Sequence, residues 1–81
     1  MSLTLIAVAN RGNAIELTYE KTVGDPEPFV LTVTRQYISR QTSKPLPISA
    51  SEVEAYIKEH AAELKRAAEK SKAKGLTAKA L

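Results

Sequence analysis

Cysteine is absent from the chain, and so is tryptophan. Without cysteine there are no disulfide staples, no thiolate metal sites and no Cys-dependent redox chemistry. A reducing compartment suits such a chain, so the expected location is cytoplasmic. Aromatic surface is scarce, with three Tyr and one Phe, which makes a poor platform for stacking bases. Glycine is scarce too: Gly12, Gly24 and Gly75 each stand in a turn or cap, and no Gly-rich phosphate loop can be assembled from them.

Histidine occurs once, as His60. With Glu63 and Tyr56 it offers two ligands at most, whereas closed metal sites use three or four. Its helical spacing is already that of a half-buried structural residue. Nucleophilic catalysis needs a nucleophile beside an oriented base. Ser49 and Ser51 stand at a helix start, while Ser39 and Ser43 have no histidine nearby in the sequence. No catalytic, metal or cofactor residue is assigned, and the chain is expected not to be an enzyme. Long hydrophobic runs are also missing. The opening "MSLTLIAVAN" carries an Ala7-Val8-Ala9 resembling a signal-peptidase site. It lacks a basic leader and is too short for a signal peptide or a membrane span, so it reads as a strand, and no membrane partner is expected.

What remains is an ordinary globular composition, 43% hydrophobic and 26% charged over 81 residues, enough for one domain covering 1–81. A chain of this length buries roughly 60% of the surface its unfolded form exposes. With neither disulfide nor metal to reinforce it, so small a core favours help from a second copy, and a homodimer is expected.

Leu3, Leu5, Ala7 and Ala9 share one face of an extended segment over about 3–9, with Ile6 and Val8 on the other. Both faces are apolar, which predicts a strand central in its sheet or covered on both sides. Asn10 to Asn13 is a turn by composition. Beyond it, residues 14–21 alternate, Ile15, Leu17 and Tyr19 against Glu16, Thr18 and Glu20, so the first two strands form a hairpin. "TVGDPEP" is a loop with an acidic tip at Asp25 and Glu27. A third strand spans about 29–38, though Arg35 falls on its core face and demands that the core end there or that a bulge re-aim it.

Ser49-Ala50-Ser51-Glu52 fits a capping box, with Ile48 and Val53 placed as a hydrophobic staple. From there Val53, Tyr56, Ile57, His60, Leu64, Ala67 and Ala68 form one apolar stripe, and Gly75 suits the C′ position. One helix is predicted over about 50–74, with a tail at 75–81. The fold class is therefore α+β, a three-stranded antiparallel sheet (β-β-β) packed on one long C-terminal helix.

Acid and base are segregated along that helix. Glu52, Glu54, Glu59 and Glu63 face a single Lys58 in the first half; Lys65, Arg66, Lys70, Lys72, Lys74 and Lys79 face a single Glu69 beyond it. This polarity complements a helix macrodipole, and Glu54-Lys58 adds a helical pair. The leading expectation is a non-catalytic interaction domain, homodimeric, that binds a protein partner. Its candidate surfaces are a strand edge, the Asp25-Glu27 loop and an alanine seam at Ala61 and Ala68. The alternative is a small nucleic-acid-binding protein using Arg35, Tyr37, Arg40, Lys44, Lys65, Arg66 and Lys70, for which the net charge of +3 is permissive. A regulator of an enzyme whose active site lies elsewhere is a third possibility.

Overall fold

A computed structural model describes residues 3–81. The hairpin forms where the alternation places it, as β1 (Thr4–Asn10) and β2 (Ala14–Glu20). Arg11 N donates to Ala14 O at 2.8 Å and Gly12 N to the Asn10 side chain at 3.0 Å. Gly12, at φ +82°, holds the first central position of the turn, where a type II′ reversal uses glycine. β3 (Phe29–Thr34) pairs antiparallel with β2 without register slip. Ile15, Leu17, Tyr19, Phe29, Leu31 and Val33 are all buried on one face. Glu16, Thr18, Glu20, Thr32 and Thr34 lie on the other, where water reaches them.

β3 stops at Thr34, before the predicted strand end at 38, because Thr34 becomes a helix N-cap. Its hydroxyl accepts from the Tyr37 amide, and α1 (Arg35–Thr42) follows. The core-facing position of Arg35 marks the point where the two-residue period ends. Within α1, Ile38 is the residue buried against the sheet, and Ser43 closes the helix at φ 57°. A connector with a cis Leu46–Pro47 peptide leads to the next helix.

There the Ser49 side chain accepts from the Glu52 amide, and Ile48 and Val53 are both buried, as the capping signal predicts. The single helix expected over 50–74 is two, α2 (Ala50–Glu59) and α3 (Ala61–Ala73), divided at His60. His60 N bonds to Tyr56 O, closing α2, and Leu64 N to His60 O, opening α3, each at 2.9 Å; between them the run of helical bonds is interrupted, with His60 at φ −108° and ψ 20°. The sequence offers no Pro or Gly there. The two halves rest on different supports: α2 packs on α1, α3 on β3 and on the last strand, β4 (Ala78–Ala80).

Gly75, at φ +86°, ends α3 as predicted. Its N–H bonds to Lys72 O and the next, Leu76 N–H, to Ser71 O, the pair of bonds that defines a Schellman motif. The tail beyond is not loose. β4 adds to β3 in parallel, making a four-stranded mixed sheet of order β1-β2-β3-β4. A parallel neighbour is possible because the helical layer supplies the crossover from β3. Among the described residues, no helix is long and apolar enough to cross a membrane.

Candidate protein-interaction surface

β1 sits at the end of the sheet, neither central nor covered. Its register on β2 slips between Leu5 and Ala7, leaving Ile6 as the extra residue of a bulge. The bulge reverses the phase of everything after it. Leu5 opposes Tyr19 and Val8 opposes Leu17, so Leu3, Leu5 and Val8 all belong to the helix side, whereas strict alternation predicted Ile6 and Val8 together. Leu3 is fully buried, but Leu5, Ile6 and Val8 are 39%, 51% and 53% exposed, because the helices lie over β2 and β3 and stop short of the edge.

An open groove of about 460 Å³ results between β1 and α2. Leu5, Val8, Ile15, Val53 and Ile57 form its floor, while Glu54 and Lys58 stand on its rim. Toward the start of β1 it continues past Leu3 and Leu5 to Ala61 and Lys65. Leu3 N, just before β1, donates to Glu69 Oε2 at 2.9 Å, fastening the start of the strand to α3. From the Arg11–Ala14 bond, the alternation of an antiparallel ladder turns the backbone groups of Ala7 and Ala9 toward β2 and those of Val8 and Asn10 outward. The strand carries no charge and no proline. Charged residues, prolines, bulges and short length are the usual protections of an edge, and β1 has the bulge alone. The opposite edge has two others: β4 is three residues long and carries Lys79.

The other candidate surfaces are altered by folding. Asp25 is turned inward. Its carboxylate accepts from Lys21 N at 3.0 Å, Glu27 N at 2.9 Å and Lys72 Nζ at 3.2 Å, and Lys72 Nζ also donates to Glu27 O at 2.6 Å. The Asp25 and Lys72 side chains are 10% and 16% exposed. The backbone amides of Glu27 and Lys21, and then the Lys72 ammonium, hold the carboxyl at about 2. This loop is a clasp onto α3, with Val23 at its solvent-exposed tip. The alanine seam is divided as well, since Ala68 is fully buried in the core and Ala61 is exposed. A small residue at 68 is what brings α3 close to the sheet.

The seven residues proposed for nucleic acid do not form one surface. Arg35 Nε donates to Gly12 O at 2.6 Å and its Nη1 to Ile48 O, so its guanidinium joins the hairpin turn to the start of α2. Tyr37 is half-buried with its ring edge-on to Tyr56, centroids 6.5 Å apart. Tyr56 in turn lies 4.3 Å from the His60 ring, and burial together with Tyr37 pushes its phenol up to about 12. His60 Nδ1 meets Glu63 at 3.4 Å, so the histidine belongs to an aromatic column. Arg40 and Lys44 are exposed on α1 and just beyond it; Lys65, Arg66 and Lys70 are exposed on α3. Lys65 looks onto the β1 side, whereas Arg66 and Lys70, one turn apart, lie farther round the helix. Compared with known proteins, the chain matches no family model, no curated protein and no solved structure.

Proposed function

We propose that the protein is a non-catalytic interaction domain of the cytoplasm that binds a protein partner by strand addition at β1. The observation that carries this reading is the uncharged outer edge of β1, with outward backbone groups at Val8 and Asn10 beside an apolar groove. Strand addition takes its affinity from such backbone groups and its selectivity from alternate side-chain pockets, and both are present here. The nucleic-acid reading is weaker because Arg35 and Tyr37 are engaged within the fold, leaving Arg40, Lys44, Lys65, Arg66 and Lys70 on separate faces.

Val8→Pro tests the proposal. Proline removes the outward N–H without touching the bonds to β2, and edge strands tolerate it. The expected result is an unchanged far-UV circular dichroism spectrum with loss of the proteins retained from native lysate by the wild type. Retention of DNA or RNA at about 150 mM salt, insensitive to Val8→Pro and abolished by neutralising Lys65, Arg66 and Lys70, would replace this reading with the nucleic-acid one.

A further inference from the structure

We infer that the strand accepted by β1 is β1 of a second copy, paired antiparallel about a two-fold axis through its Ala7–Asn10 half, so that two sheets become one of eight strands. The inference rests on the interaction reading of β1 and adds the partner and the geometry. A two-fold places the residue on the axis against its own counterpart and the residues on either side of it against one another, so charges of one sign on the strand repel each other there. β1 reads Thr-Leu-Ile-Ala-Val-Ala-Asn and meets its copy without such a penalty. Ala7 and Ala9 are small where opposing side chains come closest. The bulge at Ile6 lies toward the start of the strand, leaving Ala7 to Asn10 flat enough to pair.

The helical layer supplies the second observation. Both copies carry their helices on the same side of the joined sheet, which sets β2 and its counterpart about 14 Å apart, three strand spacings. The β1–α2 groove of each protomer then opens into that of its partner. Leu5 and Val8 from the two copies close the shared floor, and α2 lies antiparallel to its symmetry mate. Glu54 and Lys58, one turn apart on the facing rim, are exchanged by the axis: Glu54 of one protomer stands against Lys58 of the other, and Lys58 against Glu54. The rim is therefore complementary to itself only in the antiparallel arrangement that strand pairing also requires.

Charge reversal isolates the contact between chains from the helical pair within each chain. Wild-type protein is expected to sediment at twice the 8.8 kDa protomer mass. Glu54→Lys alone and Lys58→Glu alone each set like charges across the axis, and each is expected to self-associate roughly tenfold more weakly. Mixing the two variants restores opposite charges across the axis while leaving both helices with their internal like pair, so the mixture is expected to recover wild-type affinity as a heterodimer. Hydrogen exchange gives a second readout: the Val8 and Asn10 amides are protected in the dimer and become labile on dilution. A wild type that stays monomeric at millimolar concentration overturns the inference. So does a dimer whose Val8 amide exchanges freely, or a mixture no tighter than either variant alone. A wild type that is monomeric yet retains lysate proteins, with that retention lost in Val8→Pro, overturns the self-pairing and leaves the interaction reading standing; retention untouched by Val8→Pro overturns the interaction reading itself.

Discussion

Arg35 shows how far a residue's apparent role depends on what stands opposite it. In the sequence it is a cation close to a tyrosine; in the fold it donates to the carbonyls of Gly12 and Ile48, tying the hairpin turn to the segment that leads into α2. Arg35→Ala is expected to lower stability by about 1–3 kcal/mol, the range for hydrogen bonds from a charged donor, as measured by urea denaturation. Arg35→Lys is expected to recover little, because one ammonium lacks the planar fork that serves both carbonyls. Asp25 makes a pH-dependent contribution. Its folded pKa, about 2, lies below the ordinary 3.8. The stabilisation is therefore present above the ordinary value and disappears as pH falls through the folded one. Asp25→Asn is expected to be less stable than wild type near neutrality, with the difference closing in acid. A difference that persists unchanged down to about pH 2 would show that the clasp is not held by the carboxylate. The carboxylate was legible as a turn residue, but its partner Lys72 lies 47 positions away, beyond the reach of any local pattern.

Elements whose signals are local came out where the sequence put them: the hairpin, the capped start of α2 at Ser49, and the Schellman end at Gly75. Differences arose where a local pattern had two outcomes. Thr34 is a sound β residue and a sound N-cap, and the misplaced Arg35 after it was the one sign that the cap prevails. β4 was missed because Ala78–Ala80 has neither β-branched nor aromatic residues. It is held by partners, with Val30 N donating to Thr77 O, Leu81 N to Thr32 O and Thr34 Oγ1 to Leu81 O. Deleting 77–81 is expected to lower the melting temperature and to open the edge of β3, producing concentration-dependent association visible by light scattering. A truncated chain as stable and as dispersed as the full one would show that β4 contributes nothing to the sheet.

Over the whole molecule, stability rests on one core between a single sheet face and the helices. Leu31 is fully buried at its centre. Leu31→Ala is expected to cost about 2–5 kcal/mol, a large part of the roughly 4–12 kcal/mol available to a domain of this length. The variant should therefore show a sharply lower denaturation midpoint, whereas a comparable change at exposed Val23 should not. The sequence alone determined the α+β class, the inward face of β2 and β3, the capped start of α2 at Ser49, the end of α3 at Gly75 and the acid-to-base gradient along the helices. Each follows from residues within a few positions of one another, through backbone periodicity and the donors left over at helix ends. Tertiary structure alone decided that β1 is an edge, that a bulge turns Val8 toward the groove, that the helix is divided at His60, and that Arg35, Asp25 and Lys72 serve the fold. Those outcomes depend on contacts such as Leu3 with Glu69, 66 positions apart, and a pairing at that distance is chosen by the packing of the whole chain.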